Sequence, residues 1–475
     1  LGWPRQDSML AFLPPCVLFL FRALCRIPGG RLAWAGSLSR NVYLLHPWVI
    51  VAVRAAARLL GLWRLLVENS AAHFLAVCLG SAAGGAVAAV FSKLRPPRKG
   101  SASRERAWVE VNLKNLAHNA RALQSALPQG CALMAVVKAE AYGHGGFETA
   151  VCLERAGVTA FAVATIDEGI ALRRYGIRGE ILVLGVTDVG RAKELRRYGL
   201  AQTLPSLDYA RALDAQNAPP KVHVKIDTGM HRLGIDSRDL AGVREALSLR
   251  HLTAVGIYTH LCCADGQTPE DEAFTNEQVC RFYALLERLK RCGIPLPKHH
   301  VQSSYGILNL PGLRCDYARA GIALYGVPSS PGGQTRLQLD LRPVLSVKAR
   351  VPLVRTVSKG ETVGYGRRFT AQRESRIAVL AIGYADGLPR GLSGPVGRVR
   401  IGEKVLPIAG RVCMDQLMVD VTDAPNTAPG DVGVLVEATA TGALSAPRVA
   451  ERLGSISNEL LCRRGARLPV VCVEE

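Results

Sequence analysis

The chain has 475 residues, of which 49% are hydrophobic and 21% are charged, and its formal net charge is +20. This length indicates two or three folded units, and this composition excludes a disordered polyelectrolyte and a small disulfide-stabilised secreted module. Residues 1–106 carry 14 Lys and Arg against 3 Asp and Glu, so they hold more than half of the net charge. Because these basic residues flank apolar runs, they favour a membrane segment over a nucleic-acid surface.

The first predicted element is a membrane region over 1–92. Residues 69–92 contain no formal charge, and this run is long enough to span a bilayer core of about 30 Å. Residues 41–63 are a second candidate span, interrupted by two arginines, and 8–21 are a third, shorter candidate. A basic stretch follows the first of these runs, so the positive-inside rule predicts a cell-membrane protein whose remaining chain is cytoplasmic.

Residues 39–48 resemble the late membrane helices of the acyltransferase-3 family of integral membrane proteins. The resemblance implies a truncated membrane region that lacks the helices carrying that family's usual catalytic histidine. We therefore expect no acyl transfer. Because the chain starts at Leu1 rather than Met, we also expect a fragment of a longer protein. Residues 93–106 are basic, contain Pro, Gly and Ser, and are predicted to be a linker.

The next part of the chain predicts a parallel barrel. Short apolar runs alternate with amphipathic helical patterns such as 113–127 and 277–290. Eight such runs in about 200 residues favour a (β/α)8 TIM barrel, an α/β fold, over 107–344, with a doubly wound open sheet as the alternative. The predicted strands are 132–137, 160–165, 181–185, 200–204, 222–226, 254–258, 299–303 and 317–322. Over 345–475, strands without long helices predict a separate, mostly β domain.

Thirteen cysteines are scattered along the chain without a paired CxxC ligand set. Cys262 and Cys263 are adjacent, which suits neither a simple disulfide nor tetrahedral zinc. We therefore expect reduced thiols in a cytosolic compartment and no metal site.

Polar side chains mark five predicted barrel strands, and they are Lys138, Arg232, His260, Ser304 and Arg319. Since barrel chemistry belongs to the carboxyl ends of the strands, this set predicts an active site there. A lysine ending an apolar strand is a candidate Schiff-base former, and the Gly-rich loop 142–146 after it is a candidate phosphate cradle. A lysine together with a phosphate cradle suggests pyridoxal 5′-phosphate (PLP) as the cofactor.

A set of motifs resembles the alanine racemase family in that family's order, and the first looks like its PLP attachment motif. The motifs are 135–145, 225–234, 258–260, 319–326, 364–366, 382–387 and 410–415. The resemblance implies a PLP-dependent isomerase that interconverts L- and D-alanine, L- and D-serine, or both. With a membrane region ahead of it, the chain is most similar to membrane-bound serine/alanine racemases of the vancomycin-resistance type. Such an enzyme would supply D-amino acids for peptidoglycan precursors.

The resemblance also implies which residues carry the chemistry. Lys138 and Tyr365 would be the two acid–base groups on opposite faces of the substrate α-carbon, since racemisation needs a proton removed from one face and returned to the other. Tyr365 would reach the site from the partner subunit of a homodimer. Lys138 would also hold PLP, assisted by the implied cofactor-binding residues Tyr142, His260, Ser304, Arg319, Gly321 and Ile322.

Other positions are implied to contact the substrate. They are Arg232, Met414, Asp415 and Tyr384. Some family members carbamylate the lysine that matches Lys225, and an ordinary strand-end lysine is the alternative here. Near the C-terminus, Ala466 aligns with a phosphate-contacting tyrosine of the family. Because a roomier pocket rejects an extra hydroxyl group poorly, we expect serine to be accepted beside alanine.

Three alternatives to an active racemase are a non-catalytic PLP-binding barrel protein, a decarboxylase of the same barrel type and an inactive remnant. Non-catalytic barrels usually lack the β domain and its opposing tyrosine, so the motif 364–366 counts against the first. The acidic and cysteine residues that would bind a diamine in a decarboxylase cannot be placed in the sequence. Against a remnant, no residue expected to transfer a proton is missing.

Overall fold

The computed structural model divides the chain into two units, 1–98 and 99–475. In the first unit, residues 49–59 form a helix, which contains the two arginines that interrupt the span predicted over 41–63. The residues that the structure describes are 49–63, 67, 76–77, 105–216, 219–266, 268–333 and 335–474.

The predicted membrane location is wrong for the described part of the chain. There, no helix combines the length and the apolar character needed to cross a bilayer. The predicted spans 8–21 and 69–92 lie outside the described residues, apart from 76–77, and so does the acyltransferase-3-like segment 39–48.

The second unit contains a closed barrel of eight parallel strands, which confirms the predicted TIM barrel and excludes the doubly wound alternative. Strand β1 (Ala107–Asn112) precedes the barrel. The barrel strands are β2 (Ala132–Val136), β3 (Ala160–Val163), β4 (Glu180–Val183), β5 (Leu200–Leu204), β6 (Lys221–Asp227), β8 (Thr253–Tyr258), β9 (Lys298–His300) and β10 (Tyr317–Ala320), with a short β7 (Ile235–Asp236) beside β6.

Closure of the barrel depends on the last two strands. Strand β10 pairs with β2 in parallel, and backbone hydrogen bonds join β10 to β9 and the residues after it. The N–H of Asp316 donates to the carbonyl oxygen of His299 at 2.9 Å, and the N–H of Arg319 donates to that of Gln302 at 3.1 Å. The carboxyl ends of all eight strands therefore open at one mouth.

Helices connect the strands and cover the barrel. They are α1 (Leu113–Ser125), α2 (Gly146–Arg155), α3 (Ile166–Arg174), α4 (Ala192–Arg197), α5 (Leu207–Asp214), α6 (Leu240–Ser248), α7 (Pro269–Arg291) and α8 (Ser304–Asn309). Helix α7 illustrates why the sequence starts and ends these elements where it does. Thr268 caps its N-terminus, Pro269 occupies its first turn, and acidic residues at its start and basic residues at its end complement the helix dipole.

The remaining chain forms the predicted mostly β domain. Its strands are β11 (Leu345–Arg350), β12 (Leu353–Val357), β13 (Thr362–Val363), β14 (Phe369–Thr370), β15 (Ser375–Leu380), β16 (Arg398–Ile401), β17 (Lys404–Pro407), β18 (Leu417–Asp420), β19 (Val432–Val436) and β20 (Val470–Val473). Two short helices, α9 (Ala446–Arg452) and α10 (Ser457–Cys462), precede the last strand.

The domain predicted to start at residue 107 gives its first strand to the other domain's sheet. Strand β1 lies between β11, to which it is antiparallel, and β20, to which it is parallel, in a sheet ordered β17-β16-β19-β11-β1-β20. The sequence predicts that β1 belongs to the barrel domain. The structure differs because an apolar pattern indicates a buried strand without indicating which sheet that strand joins.

Candidate active site

Lys138 stands at the barrel mouth, directly after Val137 and the end of β2. Its Nζ has no hydrogen-bond or ion-pair partner among the described residues. Burial, together with the nearby guanidinium of Arg232, lowers the pKa of Lys138. A lowered pKa increases the share of neutral amine, which is the form that attacks an aldehyde. The predicted lysine therefore has the environment that covalent cofactor attachment requires.

The residues after Lys138 form a left-handed helical turn. Four consecutive non-glycine residues have φ between 53° and 54°, and they are Ala139, Glu140, Ala141 and Tyr142. Each such residue costs roughly 1–2 kcal/mol, so the surrounding structure must hold the turn in place. The carboxylate of Glu168 does so, because its Oε1 accepts the N–H of Ala139 at 2.7 Å and its Oε2 accepts that of Ala164 at 2.7 Å. The turn thereby fixes Lys138 against the neighbouring strand β3.

Tyr142, Gly321 and Ser304 meet on the far side of this turn. A Cβ atom on Gly321 would lie 2.7 Å from the Tyr142 hydroxyl oxygen, so only glycine allows this approach. The Ser304 Oγ accepts the N–H groups of Gly321 at 2.9 Å and Ala323 at 3.2 Å. The Tyr142 hydroxyl has no hydrogen-bond partner among the described residues, and burial raises its pKa, so it stays protonated. Ile322 follows Gly321 and begins a short helical turn.

Arg319 is 3% exposed and holds its guanidinium across the barrel. Its Nη2 donates to the carbonyl oxygens of Thr259 at 2.7 Å and Val301 at 2.9 Å, and its Nη1 lies 2.5 Å from His300 Nδ1. Burial lowers the pKa of Arg319 to about 10, which still leaves it charged near neutral pH. Its Nε–H has no partner within the described chain and remains available to a ligand.

His260 and Lys225 lie beside Arg319. Burial, and then the positive charges of Arg319 and Lys225, lower the pKa of His260 well below its usual value, so its imidazole is neutral. Burial and Arg319 also lower the pKa of Lys225 to about 7. The Lys225 Nζ donates to the carbonyl oxygen of Ile226 at 2.7 Å. Arg232, by contrast, is exposed and forms no hydrogen bond or ion pair with the described residues, which leaves its guanidinium free for an anion.

The other predicted residues lie in the C-terminal domain and face outward. Tyr365 is 70% exposed, Met414 52% and Tyr384 41%. Within the described chain, the Tyr365 side chain forms no hydrogen bond. The N–H of Met414 also has no partner there, whereas its carbonyl oxygen accepts the N–H of Ala385 at 3.0 Å. The predicted residue Asp415 accepts a hydrogen bond from Arg467 at 2.8 Å, so its carboxylate already has a cationic partner.

Sequence reasoning missed the supports of these groups. Asp386, with no exposed side-chain surface, accepts Arg106 on both oxygens, at 2.6 and 3.1 Å, and Arg467 at 3.1 Å. It also accepts the N–H of Gly383 at 3.0 Å and so shapes the turn that carries Tyr384. The sequence predicts that Arg106 belongs to the linker, and only this tertiary contact reveals its role.

The residues at the mouth fit PLP. An unpartnered amine with a lowered pKa suits its aldehyde, and the free Nε–H of the buried Arg319 suits a pyridine nitrogen. The cradle formed by the Tyr142 hydroxyl, Ser304 and the backbone at Gly321 suits a phosphate, and a Cβ at that glycine would fill it. Among the described residues, no group of His, Cys, Asp or Glu side chains could hold a metal ion.

Two family models match the chain: "Alanine racemase, N-terminal domain" over residues 111–329 and "Alanine racemase, C-terminal domain" over 344–472. An amino-acid racemase of Enterococcus faecalis is 45% identical over 471 residues, which cover 98% of this chain and 66% of that protein. A serine/alanine racemase of Enterococcus gallinarum is 37% identical over 474 residues, covering 98% and 65%. The chain thus spans just under two thirds of the length of these relatives.

Solved structures of alanine racemases also resemble the chain. An alanine racemase of Clostridium difficile 630 superposes with a TM-score of 0.72 at 33% identity, covering 78% of this chain and 96% of that one. The two family models together cover the barrel and the C-terminal domain. These comparisons give no support to an acyltransferase-3-like region ahead of residue 105.

Proposed function

The chain belongs to the alanine racemase family, whose members are PLP-dependent isomerases, and we propose that it interconverts the L and D forms of alanine and of serine. The observation that carries this proposal is the unpartnered Lys138 amine at the barrel mouth, next to a cradle suited to phosphate. The D-amino acids formed would serve peptidoglycan precursors. The division into a PLP-binding barrel over 107–344 and a β domain over 345–475 is part of this proposal, with β1 reassigned to the second sheet.

PLP, when bound, supplies a ring that withdraws electrons from the substrate α-carbon. Lys138 would hold the cofactor and would exchange a proton at its Nζ on one face of that carbon. Arg319 would hold the ring nitrogen by a hydrogen bond and would keep its own proton, because its pKa of about 10 exceeds neutral pH. Because Arg319 would not give its proton to the ring, it would leave the cofactor a weaker electron acceptor, which would limit side reactions such as transamination. His260, neutral and beside Arg319, would complete the cofactor contacts.

Tyr365 is the second acid–base group, acting on the opposite face. Its 70% exposure within one chain supports a homodimer in which each Tyr365 completes the partner's barrel mouth. Tyr384 and Met414, also exposed, lie on the same turn-rich side of the domain, as their backbone hydrogen bonds through Cys413 and Ala385 indicate. We propose that Tyr384 shapes the entrance to the partner's site.

The substrate carboxylate requires a cation and hydrogen-bond donors. We assign it to the free guanidinium of Arg232 and the unpartnered N–H of Met414. Asp415, held by Arg467, orients the loop that presents this N–H. Lys225, with a pKa of about 7, is largely neutral just above that pH and reacts with CO₂ to give a carbamate and a proton. The resulting negative charge would orient Arg232.

The direct test measures D-enantiomer formation from L-alanine and L-serine separately, with PLP added to the chain. Turnover of both substrates supports the proposal in full. Turnover of alanine alone removes serine from it. No turnover, despite PLP bound covalently at Lys138 as shown by borohydride reduction and mass spectrometry, contradicts the enzymatic function and favours a PLP-binding protein without catalysis.

A further inference from the structure

A row of hydrogen-bonded side chains leads from Arg319 through the barrel to the face opposite the candidate site. His300 Nδ1 lies 2.5 Å from Arg319 Nη1, and His300 Nε2 lies 2.9 Å from His223 Nδ1. His223 Nε2 lies 3.1 Å from Oε1 of Glu180, the first residue of β4. Both imidazoles are fully buried. We refer to Glu180, His223, His300 and Arg319 as the relay.

The outer end of the relay is anchored by two more first residues of strands. The Tyr317 hydroxyl donates to Glu180 Oε2 at 2.7 Å, and Lys298 Nζ donates to the same hydroxyl at 2.6 Å. Although partial burial opposes it, hydrogen bonds from His223 and Tyr317 lower the pKa of Glu180 to about 2. Glu180 is therefore a carboxylate that can only accept hydrogen bonds.

These partners decide where each imidazole carries its proton. Glu180 accepts, so His223 must be protonated at Nε2, and its neutral ring then offers a lone pair at Nδ1. His300 must in turn donate from Nε2 and accept at Nδ1, where the guanidinium of Arg319 can only donate. Burial lowers the pKa of both histidines, so a second proton on either ring is disfavoured. Every donor in the row faces an acceptor.

Packing keeps the rings in this row. A Cβ atom on Gly256 would lie 2.1 Å from His223 Nδ1, so the absence of a side chain there makes room for the imidazole. Tyr258 stacks on His300 with ring centroids 4.6 Å apart and an interplanar angle of 4°. The rings are thus fixed in position, and only their protonation pattern remains to be set.

We propose that Glu180 is a positioning residue that sets the tautomers of His223 and His300 and thereby holds the guanidinium of Arg319 at the barrel mouth. The proton pattern is a property of the chain alone. Its consequence for turnover rests on the racemase function proposed above, because Arg319 matters there as the hydrogen-bond donor to the cofactor ring.

Replacing the Glu180 carboxylate by an amide tests whether this residue sets the tautomers. In Glu180→Gln, an amide NH₂ turned toward His223 requires an acceptor at Nε2, and this reverses both tautomers until two donors meet between His300 and Arg319. The amide oxygen turned toward His223 instead aims the NH₂ at the Tyr317 hydroxyl, which already accepts from Lys298 and then has no acceptor for its own proton. The first arrangement leaves two donors facing each other between buried groups, and the second leaves the Tyr317 hydroxyl proton without an acceptor at the half-buried outer end.

Removing the Tyr317 hydroxyl in addition should restore the original tautomers. In the double variant Glu180→Gln/Tyr317→Phe, the amide oxygen can face His223 while the NH₂ has no hydroxyl to oppose. Tyr317→Phe alone keeps the carboxylate and should leave the tautomers as they are. Glu154→Gln is the matched control. Glu154 is likewise a hydrogen-bond acceptor next to β4, since it accepts the backbone N–H groups of the two residues before that strand at 2.7 and 3.1 Å, but it lies outside the relay.

The experiment is solid-state ¹⁵N NMR of the PLP-loaded chain labelled at histidine, with the two rings assigned by the signals lost in His223→Gln and His300→Gln. We expect both rings to be neutral and protonated at Nε2 in the unaltered chain, in Tyr317→Phe, in the double variant and in the control. Glu180→Gln should show an Nδ1-protonated or mixed population. An Nδ1 proton on either ring of the unaltered chain, or unchanged tautomers in Glu180→Gln, overturns the proposal.

Turnover separates this proposal from the racemase assignment. Glu180→Gln should lower kcat for alanine roughly ten-fold with KM little changed, as loss of a residue that orients another does, and the double variant should recover most of the loss. Predicted tautomers without any turnover of the unaltered chain would refute the racemase function and leave the tautomer assignment standing. Turnover with tautomers other than those predicted would do the reverse.

Discussion

In the barrel, Arg319 is 3% exposed and its guanidinium is bound by carbonyl oxygens and an imidazole of the same chain, whereas in the C-terminal domain Tyr365 is 70% exposed and its hydroxyl is unbound in the described chain. The same contrast separates buried Lys225 from exposed Tyr384 and Met414. The barrel half of the site is therefore organised within one chain. In the homodimer proposed above, the half supplied by the C-terminal domain would complete the site of a second copy.

The largest effect should come from the barrel half. Lys138→Ala removes both the proposed attachment point and one of the two proposed acid–base groups, so D-alanine formation should fall on the order of 10³-fold or more. Borohydride reduction followed by mass spectrometry should find no covalently held PLP. Lys138→Arg, which keeps the charge, should fail in the same way, since a guanidinium does not deprotonate readily. Substantial turnover by either variant would contradict the role of Lys138.

The half of the site proposed to come from the C-terminal domain is best tested by exchanging subunits between two inactive variants. Tyr365→Phe should lose roughly 10²–10⁴-fold in turnover while keeping bound PLP, because a general acid–base group contributes about this much. When subunits of inactive Lys138→Ala and Tyr365→Phe chains are exchanged, half of the dimers are mixed, and each has one intact site. Activity should then return to about a quarter of the unaltered level. No recovery after exchange, verified by mass spectrometry, would place Tyr365 in its own chain's site and remove the contrast drawn above.

The sequence predicts the features that depend on local patterns, and it does not predict those that depend on contacts between distant residues. The barrel strands were predictable because buried parallel strands are apolar and β-branched, and Lys138 because it ends one of them. The left-handed turn after Lys138 was not, since Ala139 and Glu140 favour a right-handed helix and the contacts that hold them otherwise include the carboxylate of Glu168, 29 residues away from Ala139. The relay was equally hidden. Nothing local links Glu180 to His300, and the register of three strands brings them together.

Asp386 anchors the turn of the C-terminal domain that carries Tyr384. Replacing Asp386 should affect stability more than catalysis. Although burial opposes it, hydrogen bonding to Arg106 lowers the pKa of Asp386. Asp386→Asn weakens the binding of both arginines and should reduce the free energy of unfolding by about 2–3 kcal/mol, measured by denaturant titration. Glu361→Gln, in an exposed turn of the same domain, is the control and should change it by less than about 0.5 kcal/mol. Equal effects of the two changes would deny Asp386 its anchoring role.

Lys225 should make the stability of the barrel depend on pH. Its pKa is about 7 in the folded chain and near the ordinary lysine value of 10.5 in the unfolded chain, so between these values the unfolded chain binds more protons and stability rises with pH. Relative to Lys225→Met, the unaltered chain should gain about 2 kcal/mol between roughly pH 7 and pH 9, in CO₂-free buffer without PLP. A constant difference across that range would mean that Lys225 keeps its proton.

The smallest expected effect concerns Ala466, the exposed residue before Arg467 in the turn that leads to β20. Arg467 ties this turn to Asp386 and Asp415, so a new side chain at 466 would be held close to the loop that presents the Met414 N–H. Ala466→Tyr should fill space near the substrate side chain and lower kcat/KM for serine relative to alanine by about ten-fold, within the range that pocket size alone provides. Ala466→Ser, which adds a hydroxyl without bulk, should leave the ratio nearly unchanged. A ratio shifted equally by both changes would attribute serine acceptance to polarity rather than to space, and an unshifted ratio in both would mean that the barrel half alone selects the substrate.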